Sequence, residues 1–364
     1  MSMNYGGMER MLASLIRRTD PDRFEMHLIV LQFLGRFAEG LEPYASLHVA
    51  PPMGRASMLW PGPLIALLKR LRPDVVHAHS GVWWKTMLAS RLSGVPAVVY
   101  TEHGRPDPDP QPGRSIDRLA SRWTDRVVAV SDVLRRQMID SVRVDPSRLV
   151  VIPNGIELSE AVDTTAGSSI RAELHIPPGT PIIGSVGRLE HIKGYDVLLE
   201  AFGRLVSGWS GPSRPALVVV GEGTLRPSLE RRARELGVNA DLHLLGWRDD
   251  VARFLAGFDL FSLASRSEGT SISLLEAMAA GLCPVVTDVG GNPAVLGKDL
   301  AHRLVTASDP AALAAAWQAA LTDPESRARD ARVAAARVRE AYSLDGMVRA
   351  YQELYISLAP LFSN

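Results

Sequence analysis

Two carboxylates and two cations, each pair beside a glycine-bearing loop that opens a helix, are the residues of this chain best suited to chemistry. In SRSEGTSISLLEAMAAGLCPVVTDVGG, residues 265–291, Glu268 lies in a Gly- and Ser-bearing loop, and Glu276 follows seven intervening residues later in a predicted helix. The first turn of such a helix offers N–H groups with no intrahelical partner and the positive end of the helix dipole, which suits an anion. Carboxylates are poor phosphate ligands but good acceptors for sugar and ribose hydroxyls. The arrangement predicts a pocket for a sugar linked to a nucleoside diphosphate.

A second constellation, IGSVGRLEHIKGYDVLLEAF at 183–202, ends a predicted strand at Gly187, flanks a loop with Arg188 and Lys193, and opens a helix at Gly194. Arg supplies a planar fork and Lys a point charge, and together they suit a diphosphate and the negative charge of a leaving group. The alternative is two solvated surface cations. Gly221 and Gly223 stand at another strand end, in VVVGEGTLRPSLE, where a missing Cβ lets backbone approach a ligand, although any strand-to-helix turn favours glycine. Gly6 and Gly7 before the first helix give a similar opening, or a frayed turn.

Other candidates are weaker. Thr101-Glu102-His103-Gly104 puts His103 at the carboxyl end of a strand, as an acid, a base, a hydrogen-bond donor to a sugar, or a structural histidine. His77 and His79 in VVHAHS share a strand face, but a metal would need a third ligand that the sequence does not offer. Asp107-Pro108-Asp109 has the D-x-D spacing of metal-dependent sugar transferases of another fold, in a Pro-rich stretch that reads as a solvated loop. Trp83, Trp84 and residues 53–60, followed by Lys69, Arg70 and Arg72, read as an acceptor wall, a lipid-facing surface, or a core helix with a cationic end.

The elements that must position these residues follow a repeated pattern. At 364 residues the chain is too long for one ordinary core, so two domains are expected. Apolar runs at 27–31, 75–79, 97–101 and 127–130 alternate with helical patterns, and Ser131 is a predicted N-cap. Residues 157–180 are polar and turn-rich and read as a linker. A second alternation has strand candidates at 182–186, 216–220, 242–245, 259–263 and 283–287. The expected fold is α/β, with two parallel-sheet, Rossmann-like domains facing across a cleft and ligands beyond the strands' carboxyl ends. The domains are expected at 1–165 and 166–340, with a last helix in 341–364. The tract 310–340, rich in Ala and Arg, reads as surface helices. The glycine turn at Gly6-Gly7 normally follows a buried strand, so the first N-terminal strand is expected to be missing.

Composition narrows the function classes. Lys plus Arg and Asp plus Glu are equal at 40 each, so no global charge draws the chain to nucleic acid. Residues 1–150 carry a net +5, a mildly basic half that suits an anionic membrane face or acceptor, or a chance imbalance. The single cysteine, Cys283, lies in an apolar run and reads as a buried small hydrophobe in a reducing compartment. No spanning segment or signal peptide is visible, so a cytoplasmic protein, in peripheral contact with the inner membrane face or free of it, is expected.

The motifs GGMER, TEHG, VSDVLRRQM, VIPNGIEL, GSVGRLEHIKG, VVVGEG and SEGTSISLLEAMAAG stand in the order seen in family 4 retaining glycosyltransferases of the GT-B fold, and the resemblance covers nearly the whole chain. It implies that Arg188 and Lys193 hold the donor diphosphate with the amides of Ile272 and Ser273, that Glu276 holds the ribose, and that Glu268 holds the donor sugar. It further implies that His103 faces the reacting sugar, that Gly7 borders the phosphates beside Gly187, Gly221 and Gly223, and that the nucleobase lies near Trp247 and Arg248. The implied reaction moves a sugar from a nucleoside-diphosphate sugar to a glycan, lipid-linked or small-molecule acceptor, in polysaccharide or glycoconjugate synthesis. Retention, no metal and no cofactor are part of that implication. An epimerase of the same fold, with Glu102 as its acid or base, and a non-catalytic nucleotide-sugar-binding protein are the alternatives.

Overall fold

The central strands of this protein are short apolar runs buried on both faces, as parallel strands between helical layers must be. The computed structural model describes residues 7–105, 113–158 and 166–359. Packing divides the chain into one unit of Met1–Gly155 with Leu344–Asn364 and a second of Ile156–Ser343. These divisions differ from the 165/166 and 340/341 read from composition. They fall where the second unit gathers its two ends: Ile156 N–H donates to the Tyr342 carbonyl at 3.0 Å, and Ile156 bridges Ser343.

In the first unit β1 (His27–Val30) and β2 (Ser46–Val49) form a parallel pair. A separate four-stranded parallel sheet runs β3 (Val75–His79), β4 (Ala97–Glu102), β5 (Arg126–Ala129), β6 (Leu149–Val151). All six residues of β4 are buried. The described residues begin with the helix Gly7–Arg18, and β1 does not pair with β3. Ser131 caps its helix as expected, its side chain accepting from Leu134 N–H. The helix Leu344–Leu358 buries Met347, Val348, Tyr351, Leu354 and Tyr355, and it packs with this unit although it follows the second in sequence.

The second unit is one six-stranded parallel sheet. Its strands are β7 (Ile182–Val186), β8 (Ala216–Val220), β9 (Leu242–Leu244), β10 (Leu260–Leu263), β11 (Pro284–Thr287) and β12 (Leu304–Val305), in the spatial order β12-β11-β10-β7-β8-β9. The order reverses at β7. The chain builds β8 and β9 on one side, then returns to lay β10, β11 and β12 on the other. Loops leaving β7 and β10 therefore diverge, and such a switch point is where ligands settle in open α/β sheets. The helix Tyr195–Gly208 covers the sheet with Val197, Leu198, Ala201, Phe202 and Leu205, a 3.6-residue period.

Two readings of composition need correction. Residues 157–180 are not all linker, because Ala166–Glu173 is helical and Arg171 is tied to the Thr180 carbonyl at 2.6 Å and to Asp259 at 2.9 Å. The tract 310–340 is not simply surface. Its helices Pro310–Thr322 and Pro324–Ala341 bury Leu313, Trp317, Ala334 and Val338, and Arg303 pairs with buried Asp330 at 2.7 Å. Small alanines let these helices pack closely, which a count of Ala and Arg does not reveal.

Candidate active site

The site is built from the two loops at the switch point. Beyond β7, Gly187 N–H donates to the Val220 carbonyl at 3.0 Å, and Leu189 N–H donates to the Glu222 carbonyl at 2.9 Å. These bonds stitch the loop to the one after β8. A Cβ on Gly221 (φ +147°) would stand 1.9 Å from the Gly187 carbonyl oxygen, and one on Gly223 would stand 2.5 Å from that of Leu189. Glycine at both positions thus has a local reason: backbone meets backbone. Gly194 (φ +65°) likewise lets the next helix start against β10, since a Cβ there would lie 1.9 Å from the Ala264 carbonyl oxygen.

The loop after β10 meets the loop after β7 through an ion pair. Lys193 Nζ donates to Glu268 Oε1 at 2.7 Å, and Ser265 Oγ donates to the same oxygen at 2.7 Å. The Glu268 side chain is only 6% exposed and that of Lys193 is 23% exposed, so this pair is partly withdrawn from water and more than a solvated contact. Arg266 clamps the frame. Its Nη1 and Nη2 donate to Asp196 at 2.8 and 2.6 Å, its Nη1 also reaches the His191 carbonyl at 2.7 Å, and its N–H donates to the Ile192 carbonyl at 2.8 Å. Hydrogen bonds from Arg266 hold the Asp196 carboxyl below its usual range. Gly290 (φ +52°) closes in behind, where a Cβ would stand 1.8 Å from the Glu268 carbonyl oxygen.

The loop after β10 leads into the helix Ile272–Ala279. Its N-cap residue, Ser271, makes no side-chain capping bond, so that side chain leaves the first-turn amides, including those of Ile272 and Ser273, to other partners. Glu276, half-buried, stands four residues beyond Ile272, on the same helix face. Arg188 is exposed and bonds Glu190 at 3.1 Å. Trp247 and Arg248 follow β9, brought in by Gly221 N–H donating to the Gly246 carbonyl at 2.8 Å. The Arg248 guanidinium is occupied: it donates twice to Asp250, at 2.8 Å each, and lies 4.8 Å over the Phe254 ring.

One sheet edge thus gathers Gly187, Arg188, Lys193, Gly221, Gly223, Trp247, Arg248, Glu268, Ile272, Ser273 and Glu276, all beyond the carboxyl ends of β7 to β10. Sequence reasoning missed Ser265, Arg266, Asp196 and Gly290. Ser265, Arg266 and Gly290 lie within the motif that flagged Glu268, so proximity was the available signal; a pairing across 70 positions, as from Arg266 to Asp196, leaves no trace in one sequence.

Gly7 and His103 belong to the first unit. His103 follows β4, its Nε2 joined to His79 Nδ1 at 3.0 Å. Burial holds its pKa well below the ordinary histidine value, and His79 lowers it further, so the ring is neutral at pH 7. Glu102 is buried and fully engaged: Ser80 and Tyr100 hydroxyls donate to it at 2.6 and 2.8 Å, Arg105 at 2.9 Å, and the His103 and Gly104 amides at 3.1 and 3.3 Å. A carboxylate so occupied is a brace for the loop, not a free acid or base. Trp83 is core: it stacks on Tyr100 at 3.9 Å and its Nε1 donates to Thr124. Of the proposed apolar wall, Leu59 and Trp60 are exposed large hydrophobics. Burial pushes the Cys283 thiol up to about 11, that of an inert core residue. Gly6, Asp107 and Asp109 lie outside the described residues. Among the described residues no group of three His, Cys, Asp or Glu is placed to hold a metal.

Comparison with known proteins fits these two units. Residues 5–160 match the model of Glycosyltransferase Family 4, and residues 168–337 match that of Glycosyl transferases group 1. A D-inositol 3-phosphate glycosyltransferase of Xylanimonas cellulosilytica is 32% identical over 78% of this chain and 71% of its own. The chain belongs to glycosyltransferase family 4. Another member, the UDP-Gal:alpha-D-GlcNAc-diphosphoundecaprenol alpha-1,3-galactosyltransferase of Escherichia coli, is 29% identical over 68% of this chain, a match spanning 66% of the relative's length. Anabaena HepE, solved with UDP-glucose, shares 21% identity at a TM-score of 0.83, covering 98% of each chain. WaaG, a glycosyltransferase involved in lipopolysaccharide biosynthesis, shares 19% at 0.74, covering 96% of each chain. These likenesses give the family 4 protein the GT-B fold. Among its described residues no helix is long and apolar enough to cross a membrane.

Proposed function

We propose that this protein transfers a sugar from a nucleoside diphosphate to a glycan, lipid-linked or small-molecule acceptor, with retention at the anomeric carbon. The observation that carries the reading is the switch-point frame: Lys193 bound to Glu268 at 2.7 Å, beside a helix whose N-cap side chain leaves the first-turn amides uncapped. A fixed cation and oriented amides suit a diphosphate, and carboxylates suit hydroxyls. Arg188, exposed and paired to the surface carboxylate of Glu190, has the reach and charge to turn toward phosphate. The HepE complex with UDP-glucose supports a nucleotide-sugar donor, and the Escherichia coli relative supports a lipid-linked acceptor.

In this reading the bond from the anomeric carbon to the diphosphate breaks as the acceptor oxygen bonds to the same face, and the acceptor proton leaves on the departing phosphate oxygen. Arg188, Lys193 and the amides of Ile272 and Ser273 take up the charge that gathers on the leaving group. These protein groups supply the positive charge, so the reaction proceeds without metal. Exposed Leu59 and Trp60, with Lys69 and Arg70 on the helix that follows, support a peripheral contact with an anionic cytoplasmic membrane face. A panel of nucleoside-diphosphate sugars tests the proposal: one donor should be slowly hydrolysed by the purified protein, at the same rate in EDTA. Binding without any turnover would favour the binding-protein reading, and strict metal dependence would overturn the metal-free mechanism.

A further inference from the structure

The cation of the second unit best placed for a diphosphate is already bound to an anion of the protein itself. Lys193 Nζ and Ser265 Oγ each donate to Glu268 Oε1 at 2.7 Å. Among the described residues Lys193 is the cation bonded to Glu268. Both backbones are fixed, and every group involved belongs to the second unit. On one side Lys193 N–H donates to the Glu190 carbonyl at 2.9 Å, and Gly194 N–H donates to that of His191 at 3.1 Å. On the other, the Thr287 hydroxyl donates to the Ser265 carbonyl at 2.7 Å, and Gly291 N–H donates to the Glu268 carbonyl at 3.3 Å. Arg266 N–H joins the two loops at the Ile192 carbonyl. Neither loop can withdraw alone, so the side chains must answer an incoming charge.

They answer unequally. Lys193 has a flexible stem, three donors and a partly exposed side chain, so it can exchange a carboxylate oxygen for a phosphate oxygen at nearly even cost. Glu268 is shorter and its side chain is buried. When Lys193 turns to a phosphate, the carboxylate keeps the Ser265 hydroxyl but loses its counter-charge. It then also faces a second anion in a site partly withdrawn from water, where like charges repel strongly. A bare diphosphate brings only more negative charge. A diphosphate ester with hydroxyls beside its phosphates brings O–H donors, which a carboxylate accepts well.

We infer that Glu268 is a specificity-determining residue: its carboxylate competes with an incoming diphosphate for Lys193 and yields at low cost only to one that carries hydroxyls. The site thus discriminates the sugar-bearing donor from the sugar-free diphosphate, and the Lys193–Glu268 bond re-forms as that product leaves. The discrimination rests on the transferase reading. The competition itself does not, because inorganic pyrophosphate, with neither sugar nor nucleoside, tests it.

Pyrophosphate binding to the full chain is measured by titration calorimetry at low salt in EDTA, for wild type, Glu268→Gln and Glu276→Gln. Glu268→Gln keeps the shape and an acceptor for Ser265 but removes the charge, so it should bind pyrophosphate about tenfold tighter or more. Glu276→Gln removes a carboxylate from the helix that follows and leaves the Lys193 pair in place, so it should change the affinity by less than about threefold. The same proteins are then titrated with matched pairs, UDP against UDP-glucose and GDP against GDP-mannose. Glu268→Gln should tighten the bare diphosphate of the pair that binds and tighten its sugar ester far less, lowering the preference for the ester at least about threefold. If Glu268→Gln fails to fold, Glu268→Ala takes its place in the same titrations.

Pyrophosphate binding that is unchanged or weaker in Glu268→Gln would overturn the inference. So would equal tightening by Glu276→Gln, which would make the effect one of general charge, or equal tightening of diphosphate and sugar ester. If pyrophosphate responds as expected while no nucleoside-diphosphate sugar binds, the transferase reading fails and the competition at Lys193 stands.

Discussion

The strand-end loops of the second unit and the histidine cluster of the first unit solve the problem of polar groups at a sheet edge in opposite ways. The second unit uses charge and keeps it partnered: Lys193 with Glu268, Arg266 with Asp196, Arg248 with Asp250. The first unit uses neutrality. Burial strips His77, His79 and His103 of charge, and hydroxyls and ring nitrogens satisfy their ring nitrogens in part, His103 Nδ1 having no partner among the described residues. Glu102 is the exception that the first unit must brace from five sides. The difference teaches that exchangeable partners suit a charged ligand, because an ion pair can be re-formed with phosphate at little net cost. A neutral network has no such reserve and serves orientation.

Substitutions should break this contrast in opposite readouts. The largest effect is expected for Glu102→Ala, which leaves Arg105 buried without one of its carboxylates. It should cost about 4 kcal/mol, read as lost hydrogen-exchange protection of β3 and β4. A loss below about 1 kcal/mol would show that the brace is dispensable. Lys193→Ala comes next and should do the reverse: turnover falls about 100-fold, some 3 kcal/mol of lost transition-state stabilisation, while the second unit loses less stability than that because Glu268 keeps its bond from Ser265. Equal loss of stability would make the Lys193–Glu268 pair structural.

Acid should separate the units by a somewhat smaller amount. The folded pKa of His79 is depressed to about 4 by burial, so its contribution is fully present above the unfolded value near 6.5 and is lost as pH falls toward 4. The first unit should lose roughly 3 kcal/mol from this residue over that window, measured by hydrogen exchange at stepped pH. His79→Asn should flatten the early part of the loss, between about pH 6.5 and 5, where carboxylates are still ionised. A wild-type profile that is flat there would mean that the cluster is hydrated and ordinary.

Much of the second unit was legible because its strands are apolar runs buried on both faces and its glycines mark strand ends. Glu268, Glu276, Arg188 and Lys193 stood out for the same reason: charged residues beside glycines at predicted helix starts. The strand β12 was missed because two residues carry no period. The strand β2 was missed because Ser46 and Val49 are exposed and Leu47 and His48 only half-buried, so no apolar run marks it. The histidine cluster was visible only as isolated letters. His77 and His79 invite a metal reading, and nothing near them in the chain announces Tyr355. For Trp83 the sequence left wall, lipid-facing surface and core helix open, because its stacking partner, Tyr100, lies on another element; the core reading is the one that holds.

The bond between His77 and Tyr355 joins residues 278 positions apart, with the whole of the second unit lying between them in the chain. During synthesis the first 155 residues emerge early, yet His77 lacks one of its two hydroxyl partners until the helix Leu344–Leu358 has been made. The unit begun first is completed last. Its final ordering waits on a contact of very high sequence separation, which makes the closing step of folding a slow one and leaves β3 and β4 the longest without their full cover.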